Sequence, residues 1–198
     1  MVGVTQRSGN YSRNVQVVVD SNSVDIIKSP SIFMDLVGIL VDSNVIDPRT
    51  NNDYEPYDIE NKIDFNDVIK HRERIEGFYL YSSMIDKAYE TLNESMPTAK
   101  ETALKSINSR YLDCQGDLLL KHREAYKSCK DAQERNNLKI QLVREFTDWI
   151  IDSVIEHIIK KCLNSLMAMN YTSEEIECHA SFIVYHAFVE CKILEKPI

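Results

Sequence analysis

The stretch Leu104-Lys105-Ser106-Ile107-Asn108-Ser109-Arg110-Tyr111-Leu112-Asp113-Cys114-Gln115-Gly116-Asp117-Leu118 decides the fold. Its apolar side chains Leu104, Ile107, Tyr111, Cys114 and Leu118 recur at alternating spacings of three and four. A strand would scatter them over two faces, whereas a helix gathers them into one stripe, a heptad seam suited to a near-antiparallel helical neighbour. Working outward, this helix is expected over 98–129, set off by the breaker Ser95-Met96-Pro97. A charged connector, 130–137, then leads into a helix over 138–169. That helix carries Leu142, Phe146, Trp149, Ile150, Val154, Ile155, Ile158, Ile159, Cys162, Leu163 and Leu166, an apolar face wide enough for burial on more than one side. Thr172 with Glu175 three residues on forms a capping box for a last helix bearing Ile176, Ala180, Ile183, Val184, Ala187, Phe188 and Cys191, with Pro197 as its stop.

Toward the N-terminus, apolar residues at helical spacing from Ile59 to Leu92 predict one long helix over 58–93, or two with a bend near Gly77. Ser29-Pro30 reads as an N-cap followed by a proline at the first helical position, opening a helix with Ile32, Phe33, Leu36, Val37, Ile39 and Leu40 that ends near Asn44. Residues 47–53 read as an exposed loop. Residues 1–14 are polar, and Val15-Gln16-Val17-Val18-Val19 is a β-branched run suited to one short strand, laid on its own domain or paired with a partner chain or a second copy. The expected architecture is therefore mainly all-α: an N-terminal arm over 1–28 with a short extended segment, and a single bundle of about five helices over 29–198.

Composition agrees with one core. The chain has 198 residues, 43% hydrophobic and 27% charged, with only five glycines and five prolines, which fits long helices better than many short strands. The net charge of −8 is uneven. Asp42, Asp47, Asp53, Glu55, Asp58, Glu60, Asp64 and Asp67 face only Arg49 and Lys62. Such an acidic segment repels phosphate, so autonomous nucleic-acid binding is disfavoured and a basic protein partner is favoured. Five scattered cysteines with no C-x-x-C pair, no secretory segment and no apolar run near the roughly 20 residues of a membrane span point to a reducing cytoplasm.

Signatures of chemistry are scarce. The glycine-dependent motifs of phosphate loops, dinucleotide turns and nucleophile elbows are missing, and no arginine precedes a histidine at the R-x(4–6)-H spacing of a helical RNase. The chain is expected to be no enzyme, with no catalytic residue, no cofactor and no metal. Glu175, His179, His186 and Glu190 do share one helical stripe, but ligands strung along a single helix rarely converge on one ion, so packed or solvent-facing histidines are the expected reading. Lys121, Arg123, Lys127 and Lys130 head a weak basic cluster interleaved with acids, which reads as a charged bundle surface or as a weak phosphate contact within a larger assembly.

Two segments carry a family resemblance. Asp58-Ile59-Glu60-Asn61-Lys62-Ile63-Asp64-Phe65-Asn66, with Ile85-Asp86-Lys87-Ala88-Tyr89 after it, resembles the start of the helical domain of accessory subunits and effector C-terminal regions in bacterial ABC-three-component defence systems. The ending Tyr185-His186-Ala187-Phe188-Val189-Glu190-Cys191-Lys192-Ile193-Leu194-Glu195-Lys196-Pro197 resembles the closing motif of that domain. Lamassu-type systems, which act against phages and plasmids, belong to this group. The resemblance implies a small accessory subunit joining an SMC-like or Rad50-like ATPase to an effector, often a nuclease, with DNA reached only through the complex and self-association open. Asp58, Ile59, Lys62, Phe65, Phe188, Lys192 and Leu194 are the partner-contact residues it suggests. The rival expectation is a free-standing acidic helical regulator or immunity protein that blocks a toxin.

Overall fold

A computed structural model describes residues 28–43, 56–78 and 82–197. Nine α-helices and one 3-10 turn make up the described residues, with no strand among them: α1 (Ile32–Asp42), α2 (Pro56–Phe65), α3 (Arg72–Phe78), α4 (Ser82–Ser95), α5 (Ala99–Lys121), α6 (Arg123–Ser128), α7 (Ala132–Glu145), α8 (Thr147–Leu163), the 3-10 turn Leu166–Asn170, and α9 (Ser173–Val189). The all-α expectation holds. The expected strand at 15–19 and the loop at 47–53 lie outside the described residues, as does most of the arm.

The expected five helices become nine among the described residues, because the stretches 58–93, 98–129 and 138–169 are each broken without losing their apolar stripe. The stretch 58–93 becomes three helices. α2 stops in a turn with Asp67 in the left-handed region (φ 52), the Asp67 N–H bonding to Asp64 O and the Val68 N–H to Ile63 O, a Schellman closure. The carboxylate of Asp148 then collects the N–H groups of Ile69, Lys70 and His71 just before α3. α3 runs through Gly77 to Phe78 and α4 starts at Ser82, and the junction between them, 79–81, where the bend near Gly77 would fall, lies outside the described residues. The stretch 98–129 divides at His122.

The helix expected over 138–169 begins earlier and kinks. Asp131 caps α7, its side chain accepting from the Glu134 N–H at 2.8 Å. At Phe146 the helix axis changes because the Thr147 hydroxyl lies 2.7 Å from Val143 O and 2.6 Å from Asn66 O. A hydroxyl drawn to the carbonyl four residues back bends a helix. The first helix opens at Ser31 rather than Ser29, with the Ser31 side chain accepting from Met34 N–H.

α9 is the centre of the molecule, packed on α8, α1, α3, α4 and α5. Tyr185 to Val189 are buried without interruption, which a helix covered on all sides requires. The seam of α5 does what its spacing predicted: Leu104, Ile107, Tyr111, Cys114 and Leu118 are all buried and α5 lies along α8 and α4. Gly38 lets α1 pass under Tyr171, since a Cβ there would sit 2.6 Å from the Tyr171 hydroxyl. Among the described residues no helix is long and apolar enough to cross a membrane.

Candidate interaction site: the clasp between the two family segments

The segments 58–66 and 185–197 lie far apart in sequence and meet in space. α9 ends at Val189, and Pro197 does not stop it as expected: Cys191 turns into the left-handed region (φ 54), its N–H bonding to Phe188 O and that of Lys192 to Ala187 O. This second Schellman closure turns the chain back over α2 and α5. The carbonyls it leaves are captured by Lys62, which is 3% exposed. Its Nζ donates to Phe188 O and, at 3.2 Å, to Ile193 O, and lies 4.4 Å from the centre of the Phe188 ring. A cation at a helix C-terminus also meets the negative end of the helix dipole. Burial pushes the Lys62 ammonium down to about 8, partly opposed by the Cys191 thiol.

Asn66 completes the clasp. Its Nδ2 donates to Glu195 O (2.8 Å) and Lys62 O (2.9 Å), and its Oδ1 accepts from the Glu195 N–H (3.0 Å). From α5, Asn108 donates to Lys192 O at 2.7 Å, while Tyr111 and Gln115 reach the Glu195 carboxylate, each at 3.0 Å. Lys139 of α7 approaches the same carboxylate at 3.3 Å. Ile193 and Leu194 seat themselves in the core. A pocket of about 320 Å³ lies beside the clasp, lined by Asp58, Ile59, Asn61, Lys62, Phe188 and Cys191 among others.

Asp58 is exposed, Phe65 and Lys192 are half-buried, and Ile59, Lys62, Phe188 and Leu194 are buried. Five of these seven therefore help bind α2 and α9 to the closing segment: Ile59 and Leu194 by packing, Lys62 through its ammonium, Phe188 by packing and its carbonyl, and Lys192 through its carbonyl. Lys121, Arg123, Lys127 and Lys130 are all exposed, and α6 among them buries none of its residues. Glu124 lies 3.4 Å from Arg123 and 3.6 Å from Lys127, and Lys121 sits 5.1 Å over the Trp149 ring.

The histidine stripe of α9 does not act as one unit. Glu175 completes the capping box with Thr172, and His179 bonds to Glu175 O at 2.7 Å. His186 instead meets Asp86 of α4 (3.1 Å) and Glu190 (4.0 Å), three groups close enough to consider for a cation. The Lys100 ammonium already stands among them, 2.8 Å from Asp86 and 3.7 Å from Glu190. Although burial favours the neutral acid, hydrogen bonds from His186 and Lys100 hold Asp86 down to about 2. A second buried histidine, His71, bridges Tyr185 (3.0 Å) and Asp152 (3.1 Å), its pKa lowered by burial against the pull of Asp152. Asn66 and Asp86 lie within the family segments without a role of their own in the sequence reading, which did not single out Asn108, Gln115 or His71; the bonds of these five across the fold reach distant segments and leave no local spacing to read.

A family model described as C-terminal domain 10 of the ABC-three component (ABC-3C) systems matches residues 33–195. The chain belongs to this family. The match takes in both halves of the clasp, so this ABC-3C domain is closed by joining its two ends across α5. Membership makes the chain a component of an ABC-three-component system, which implies partner subunits. Comparison with curated proteins and with solved structures gave no match.

Proposed function

We propose that this chain is a non-catalytic accessory subunit of an ABC-three-component defence complex of the Lamassu type, directed against phages and plasmids. It joins an SMC-like or Rad50-like ATPase to an effector and restrains or positions that effector until the ATPase engages foreign DNA. Family membership is the observation that carries the reading. Three buried ionisable side chains serve internal bonds, which fits a docking role: Lys62 holds carbonyls, His71 joins Tyr185 to Asp152, and His186 meets Asp86.

Control of this kind needs only unequal affinity for two states of the assembly. The helical body supplies faces for helix-on-helix docking, with DNA reached through the complex and the exposed Lys121, Arg123, Lys127 and Lys130 available for phosphate. Co-expression with the ATPase and effector encoded alongside tests the proposal. Co-purification of the three, with effector activity released only when DNA engages the ATPase, is the expected result. Failure of the chain to join either partner, or turnover of nucleic acid by the chain alone, removes it.

A further inference from the structure

The outward stripe of α5 holds an arrangement that the fold itself does not require. Leu112 is 53% exposed and Leu120 is 70% exposed, and they stand one turn to either side of Gly116, so the three form a single solvent-facing row. A glycine in the middle of a 23-residue helix weakens it relative to alanine. Among the described residues, none outside the neighbouring turns of α5 itself comes within 4 Å of where a Gly116 Cβ would be, so the packing described for the monomer does not ask for a glycine there. Gly38 differs, because Tyr171 occupies that space. What Gly116 offers is a place where another helix can approach closely between two leucines.

The occupant follows from the symmetry of the row. Leu112-Gly116-Leu120 reads the same in both directions about Gly116. An isologous contact needs a patch complementary to itself. Two such rows crossing antiparallel place Gly116 against Gly116 and Leu112 of each copy against Leu120 of the other. The adjoining row, Asp113-Asp117-Lys121, falls on the same side of both helices. Each Asp113 then lies beside the Lys121 of the opposite copy, while the two Asp117 carboxylates oppose each other near the axis. Trp149, 37% exposed and under Lys121, extends the apolar rim.

We infer that a second copy of this chain docks antiparallel on the outer face of α5, about a twofold axis through Gly116. The contact spans few helical turns, so it belongs with small, transient interfaces and shows itself at high protein concentration.

Sedimentation equilibrium of the full chain over a wide concentration range tests this, with thermal unfolding run on every variant to show that the fold is kept. Wild type is expected to populate a dimer. Leu120→Glu, at an exposed position, weakens association about tenfold or more, since it sets a charge against the Leu112 of each opposite copy. Gly116→Ala raises the melting temperature, having gained helix propensity without a clash, yet loosens the dimer; a purely monomeric role for the glycine predicts the first effect alone. Asp117→Asn tightens association about twofold by removing the like-charge pair. In a background with Cys129 and Cys178 changed to serine, Gly116→Cys cross-links to itself on mild oxidation. A monomer at every concentration, a dimer indifferent to Leu120→Glu, or no cross-link at position 116 overturns the inference. A monomer whose Leu120→Glu variant fails to co-purify with the ATPase or effector assigns the face to that partner instead and overturns it equally.

Discussion

Replacing Asn66 by alanine tests the clasp most directly. The substitution removes three hydrogen bonds, a buried one to Lys62 O and two part-buried ones to the backbone of Glu195. At about 1 kcal/mol net for each, and with the exposed end of the segment able to recover part of its hydration, the loss is about 2–3 kcal/mol. For a domain of this size that is a fall in Tm of roughly 5–10 °C. Ile193 and Leu194 remain buried and Asn108 still holds Lys192 O, so the segment should loosen without the bundle unfolding. Hydrogen exchange then separates local from global effects: the Glu195 amide should exchange about 30- to 150-fold faster, whereas amides in the middle of α9 change only with the global stability. Asn137→Ala, an exposed change on α7, serves as control and should move stability by less than about 0.5 kcal/mol. A Glu195 amide unchanged within about threefold would refute the reasoning, because it would mean that Asn66 does not hold the closing segment.

Further predictions concern the same ends of helices. The folded Lys62 amine titrates at about 8 against 10.5 ordinarily; between these values the unfolded chain binds more protons, so wild type should gain stability as pH rises from 8 toward 10.5. Lys62→Met should lack that gain, and the difference between the two denaturation-derived stability curves is the measurement; parallel curves would contradict it. Cys191→Gly relieves a non-glycine residue at φ 54 and should stabilise by about 1 kcal/mol in urea unfolding. Asp131→Ala removes the cap of α7 and should cost about 1 kcal/mol by the same assay, with the loss of helix confined by exchange to the first turn of α7.

Legibility in the sequence followed the range of each interaction. The capping box of Thr172 and Glu175 and the seam of α5 depend on residues within a turn or two of one another, and both are present. The kink at Phe146 was not readable, because the Thr147 hydroxyl that bends it is also committed to Asn66 O, far away along the chain. Lys62 stands among acidic neighbours in the sequence and is expected there as a partner contact. Only the arrival of the α9 terminus above it makes it a buried cap. His186 is packed in a helix interface as expected, but that it meets Asp86 of α4 as well as Glu190 of its own helix could not be read from the spacing along α9.

The sequence by itself therefore determined the helical class, the faces that turn inward and the caps at several helix ends, since all of these rest on periodicity and on hydrogen bonds between near neighbours. Tertiary structure alone decided where the long helices break, which polar side chains are buried, and that the two family segments close on each other. Those outcomes come from carbonyls, amides and charges meeting across distant parts of the chain, and a buried polar group takes whichever partner the packing brings within reach.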